Sequence, residues 1–140
     1  MKYAYNTLDV IGRILLAYFF IPSGITKITE HASIAALMAG HGVPTWLLPF
    51  ACFLEIVGGL AILTGWYTRI AAFLLGGYAF IAIAIFWGHP FSPSNIIQTA
   101  ELAAAGGVWV LAAHGAGAWS IDAFLGRRRG TPQRAAPATT

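Results

Sequence analysis

Charge is what this sequence has least of. Its 140 residues include eight Lys and Arg and five Asp and Glu, 9% of the chain, against 58% hydrophobic residues. A soluble domain carries roughly 25% charged residues. So few charges cannot coat a water-facing globule, and so many aliphatic and aromatic side chains exclude a disordered chain. Cysteine is nearly absent as well. Cys52 stands alone, so no intramolecular disulfide can form and there is no CxxC. A membrane dithiol oxidase working through its own cysteine pair is therefore excluded, and Cys52 reads as a small packing residue. No flavin, haem or iron–sulfur motif is present. The glycine pairs Gly58-Gly59, Gly76-Gly77 and Gly106-Gly107 are not phosphate loops, because no strand precedes them and no Gly-Lys-Ser/Thr follows.

What is present is long apolar runs, with a mean hydropathy of +0.71. A helix needs ~20 mainly apolar residues to cross ~30 Å of hydrocarbon. Four such spans fit, at about residues 8–28, 46–64, 69–87 and 95–114. The fold class is all-α: a transmembrane four-helix bundle occupying one domain, residues 1–126. The first run is too long for a signal-peptide core and no small-x-small cleavage site follows it, so it is read as retained. Pro22 inside it removes one helical hydrogen bond and should kink the outer third. Ser33 to Met38 reads as a short interfacial helix. Thr45 is placed to cap the second span, Gly65 to end it and Thr68 to cap the third. Asn95 to Gln98 has the form of a capping box. Residues 119–125 read as an amphipathic stub, and residues 127–140 as a basic, disordered tail. The paired glycines, with Ala72 and Ala103 one turn from Gly76 and Gly107, supply the small faces through which helices associate in lipid.

The pI of about 9.4 is not a nucleic-acid signal. Arg127, Arg128, Arg129 and Arg134, half of the eight basic residues, lie in the tail. Beside apolar helices such a cluster contacts anionic lipid or sets topology. Lys2, Arg69 and the tail arginines share one side, and only Lys27 falls on the other. The positive-inside rule puts both termini in the cytoplasm.

Ionisable residues inside lipid cost ~2.5–3.5 kcal/mol each on insertion scales, so Arg13, Lys27, Glu55 and Glu101 carry the functional argument. Asp9, Arg13, Ala17, Gly24 and Lys27 lie on one stripe of the first helix, and Asp9 and Arg13 are spaced to pair. Ala51, Glu55 and Gly59 share a face of the second span. These placements predict a buried Arg13–Glu55 pair. Asn95, Gln98 and Glu101 form a polar ridge on the fourth span. Together they predict a polar pocket in the outer half of the bundle, lined by Glu55, Glu101, Gln98 and Lys27. Two acids close together in low dielectric can keep one proton at neutral pH, which makes Glu55 and Glu101 the candidate proton-handling groups. Arg13, Lys27 and Gln98 are the candidate ligand-binding groups. The competing reading is that buried Arg–Glu pairs only fix which helices meet.

Histidines add little. His31, His41 and His89 map to the outer side without ligand spacing, and His89 and His114 sit at opposite faces, which does not suit a bis-His haem. No metal site is expected.

The charged residues also carry a recognisable pattern. Arg13-Ile-Leu-Leu and Ser23-Gly24-Ile-Thr-Lys27 come first. Next comes the run from Glu55-Ile-Val-Gly58-Gly59 through Gly65-Trp-Tyr-Thr-Arg69 to Ile-Ala-Ala. Glu101 and Gly115-Ala-Gly117-Ala-Trp-Ser120-Ile-Asp122 close it. In order and spacing these pieces resemble the DoxX family of small four-helix membrane proteins over about residues 8–125. The tail and the connector with His31 and His41 lie outside the pattern. The resemblance implies a bacterial cytoplasmic-membrane protein. The family takes its name from a subunit of a thiosulfate:quinone oxidoreductase, and other members look like membrane partners of redox-protective enzymes.

The first functional expectation is thus a membrane subunit of a quinone-linked oxidoreductase or redox-protective complex. It would have no covalent cofactor, with a quinone as the pocket's ligand. Electrons would come from a partner enzyme or the substrate. Membrane lipid, redox-enzyme partners and a second copy of the chain are the partner classes considered. A small proton-coupled transporter is the first alternative, although such exporters carry their key Glu in the first helix. A non-catalytic anchor or assembly protein is the second.

Overall fold

The structure, a computed structural model, describes residues 2–87 and 96–128. Helix α1 spans Lys2–Thr29, α2 His31–Gly40, α3 Leu48–Thr64, α4 Thr68–Trp87, α5 Ile96–His114 and α6 Ile121–Arg128, with a 3-10 turn at Thr45–Leu47 before α3. Among the described residues there is no strand, and four helices are long and apolar enough to cross a membrane. The protein is an all-α, four-span transmembrane bundle. Asn95, His89 and residues 129–140 lie outside the described residues, and with them the start of the expected capping box and most of the expected tail.

Spans α1 and α3 pack chiefly on each other, as do α4 and α5, and a lighter α3–α4 seam joins the two pairs. Small residues make these approaches close. A Cβ on Gly24 would meet Ile56 Cγ1 at 2.7 Å and the Cβ of Glu55 at 3.1 Å. One on Gly58 would meet Leu75, one on Gly59 would meet Ile21, and one on Gly76 would enter the Trp109 indole. Phe20, Ile62, Leu75 and Val108 fill the centre.

Several local expectations change. The first helix starts at Lys2, earlier than residue 8, with Pro22 inside it. The connector helix is longer than residues 33–38 and folds inward. Met38 is buried with Leu48 and Cys52, and Ile34, Val43 and Phe86 pack against them. Thr45 does not cap α3; it opens the 3-10 turn, and no side chain caps the helix there. Gly65 does end α3, at φ +75°, and the Trp66 N–H returns to the Ala61 carbonyl as in a Schellman motif. Arg127 and Arg128 extend the stub as its last turn rather than beginning the tail.

Candidate functional site

Two polar centres are built into the bundle along the α1–α3 interface. The first lies at the end where α1 begins and α3 finishes. Arg13, 3% exposed, donates to the Leu63 carbonyl at 3.5 Å and to the Trp119 carbonyl. The backbone of Gly65 and of Ser120 closes over the guanidinium, where a side chain at position 65 would collide with it. Asp122 arrives from α6. Its carboxylate accepts from Tyr67 N–H at 2.9 Å and Thr68 N–H at 3.1 Å, and its own N–H donates to the Gly65 carbonyl at 2.9 Å. The first turn of α4 is thus capped by a residue more than fifty positions away. Thr68, the expected cap, is buried with its hydroxyl unbonded. Asp9 acts on Arg13 electrostatically, and its carboxylate packs against the Gly117 turn.

The second centre lies deeper, toward the opposite end. Lys27 Nζ donates to Glu55 Oε1 at 3.0 Å, to Glu55 Oε2 at 2.9 Å and to Ser23 Oγ at 2.8 Å. The Glu55 side chain is 5% exposed and that of Lys27 21%. From α4, the Tyr78 hydroxyl comes within hydrogen-bonding reach of Glu55, with Glu101 of α5 in electrostatic range. These groups face a cavity of about 380 Å³. Lys27, Ser23, Glu55, Tyr78 and Glu101 line its polar part, and Phe19, Leu54, Ala79 and Ala82 are among its apolar walls. Its roof comes from α2, through Ile34, Leu37 and Met38.

The expected Arg13–Glu55 pair is therefore not formed. The reason is directional. Gly24, not Arg13, packs against the Glu55 Cβ, and Arg13 lies ~16 Å further down the helix at a rise of 1.5 Å per residue. A helical Cα–Cβ bond tilts toward the N-terminus, so Arg13 leans away from Glu55 while Lys27 leans toward it. Of the five expected site residues, Lys27, Glu55 and Glu101 meet at the cavity. Arg13 does not, and Gln98 is buried in α5 but does not line it. Sequence reasoning missed Tyr78. Its signal was available, since Tyr78 is the one polar side chain between Arg69 and Trp87 in an apolar span. His31 and His41 stay exposed. Among the described residues no three His, Cys, Asp or Glu side chains group to hold a metal.

This arrangement puts a few polar, ionisable groups at one end of a mainly apolar cavity. Lys27 and Tyr78 are hydrogen-bond donors, Glu55 is an acceptor, and Glu101 is a second acid nearby. The sequence profile of the DoxX family matches residues 8–90, more than half of the chain. The chain belongs to the DoxX family. The match contains Lys27, Glu55 and Tyr78 but ends before Glu101. The inner membrane protein YqjF of Escherichia coli (strain K12) is 36% identical over 120 residues, covering 85% of this chain and 92% of that protein. No solved structure matches the chain. With four apolar spans and an inner-membrane relative, this DoxX protein is a multi-pass protein of the cytoplasmic membrane.

Proposed function

We propose that this protein is the membrane subunit of a quinone-linked oxidoreductase or redox-protective complex, and that the cavity between α1, α3 and α4 holds the quinone head. The observation that carries the reading is the cavity's division into apolar walls and one deep polar end. Ligand sites commonly combine mainly apolar walls with a few placed polar groups. A buried carboxylate facing an intramembrane cavity marks ligand or proton handling by default. Lys27 or Tyr78 would donate to a quinone carbonyl oxygen by exchanging a bond that it now makes to Glu55. Reduction to the quinol takes two electrons and two protons. The electrons come from a partner's redox centre, and Glu55 and Glu101 relay the protons.

The test is purification in native-lipid nanodiscs with quinone extraction. Wild type should carry quinone at a substantial fraction of one per chain, and Glu55→Gln and Tyr78→Phe should lose it. Wild-type protein free of quinone, with no binding when ubiquinone or menaquinone is added back, overturns the reading.

A structural reading has its own support, because Lys27–Glu55 ties α1 to α3. Under it the protein is an anchor, and replacing both partners by Met and Gln leaves assembly with redox enzymes intact.

A further inference from the structure

Lining and exposure can be compared around the cavity, residue by residue. Some lining side chains are also surface side chains: Phe50 on α3, Ile81 and Ile85 on α4, Leu37 on α2 and Leu47 in the 3-10 turn. Phe50 is 64% and Ile81 59% exposed. All five are apolar, and they surround the outer half of the α3–α4 seam. The seam is closed below, where Gly58 packs against Leu75. At the end of the bundle where α3 begins the roof is α2, which presents Ile34 and Met38 to the cavity and anchors on Leu48 and Cys52.

Depth decides what this opening faces. Phe50 lies ~7 Å inside the apolar span Thr45–Thr64, and Ile81 ~7 Å inside the apolar span Thr68–Phe86, at a rise of 1.5 Å per residue. The opening thus falls within the apolar length of both spans. A water-borne ligand would have to shed its hydration in lipid before reaching an apolar mouth, whereas a lipid-borne one meets no polar barrier. The volume is also informative. At about 380 Å³ the cavity lies near the lower end of the ~300–1,000 Å³ range of small-molecule sites. It suits a substituted ring but leaves no room for a long polyprenyl tail.

We infer that the ligand enters sideways from the bilayer between α3 and α4, seating a polar ring at Tyr78, Glu55 and Lys27 and leaving its apolar tail in the lipid. The ring's identity as a quinone rests on the function proposed above, but the route does not. α2 acts as a roof over the site and not as its door. Phe50 and Ile81 are the doorposts.

The test places a bimane label inside the cavity of the full chain in nanodiscs, through Ala82→Cys in a Cys52→Ala background. The quenchers are phosphatidylcholine with a nitroxide part-way down the acyl chain, and aqueous iodide. The lipid-borne nitroxide is expected to quench at least twofold, with iodide nearly without effect, and Ile81→Trp should reduce the lipid quenching. Ala51→Cys on the facing wall repeats the measurement in case position 82 perturbs folding. Quenching by iodide alone, or by neither agent at both positions, overturns the lateral route. Nitroxide quenching in a protein that binds no quinone sinks the quinone reading and leaves the route standing. Quinone binding with access by iodide only does the reverse.

Discussion

Lys27 reaches down α1 to hold both carboxylate oxygens of Glu55, at 3.0 and 2.9 Å, and so couples the end of one span to the middle of another. Glu55 sits ~10 Å inside the start of α3. At that depth a lone carboxylate is expensive, and the ammonium and the Tyr78 hydroxyl offset the cost. The same three groups line the cavity, so the pair both joins α1 to α3 and forms the polar end of that cavity.

The pair should behave as a unit. Removing one partner strands a buried charge, at a cost of ~3–5 kcal/mol. Lys27→Met alone should therefore destabilise the detergent-solubilised protein strongly. Adding Glu55→Gln should restore most of the loss. A double-mutant cycle from thermal or denaturant unfolding measures this. Additive losses would show that the two side chains are not coupled.

Much of this was legible in the sequence, for identifiable reasons. Span count and position follow from the length of helix that crosses hydrocarbon, and Gly65 marked the end of α3. Face arithmetic brought Glu55, Glu101 and Lys27 toward one region. It failed on Arg13, because a stripe says which residues share a face and not which way along the helix they lean. The inward fold of α2 was hidden because His31–Gly40 is apolar on every side and has no face to read. The Asp122 cap was hidden because no local spacing links residue 122 to residue 68.

That cap supplies a contrast. Asp122 accepts two N–H bonds at the start of α4, whereas the Thr68 hydroxyl makes none. Replacing a capping side chain by Ala costs ~0.5–2 kcal/mol. Asp122→Ala should fall in or above that range, because it also loosens α6 from Gly65. Thr68→Val should be neutral or slightly stabilising, since it removes an unbonded buried hydroxyl. Equal losses in the two variants would count against the cap.

The glycines divide in the same testable way. Gly24 faces Ile56, Glu55 and the Cys52 carbonyl, and Gly76 faces the Trp109 ring, while Gly77 and Gly106 have nothing within 4 Å of an added Cβ. Gly77→Ala and Gly106→Ala should leave stability unchanged or raise it by up to ~1 kcal/mol through helix propensity. Gly76→Ala must displace an indole and Gly24→Ala must part α1 from α3, each at ~1–3 kcal/mol. If all four variants unfold alike, the close approaches do not control packing.

Orientation is the remaining expectation, and it decides which side of the membrane the cavity lies nearer. Arg69, Arg127 and Arg128 lie at the end of the bundle where Arg13 is buried, and Lys27 lies toward the other. Excess Lys and Arg mark the cytoplasmic side. A green fluorescent protein fused after Thr140 should therefore fluoresce, and an alkaline phosphatase fused there should be inactive. A phosphatase inserted between α2 and α3, at Gly42, should be active. The reverse pattern would place the α2 roof and the nearby Phe50–Ile81 opening on the cytoplasmic side. It would also move the ligand's route from the outer to the inner leaflet.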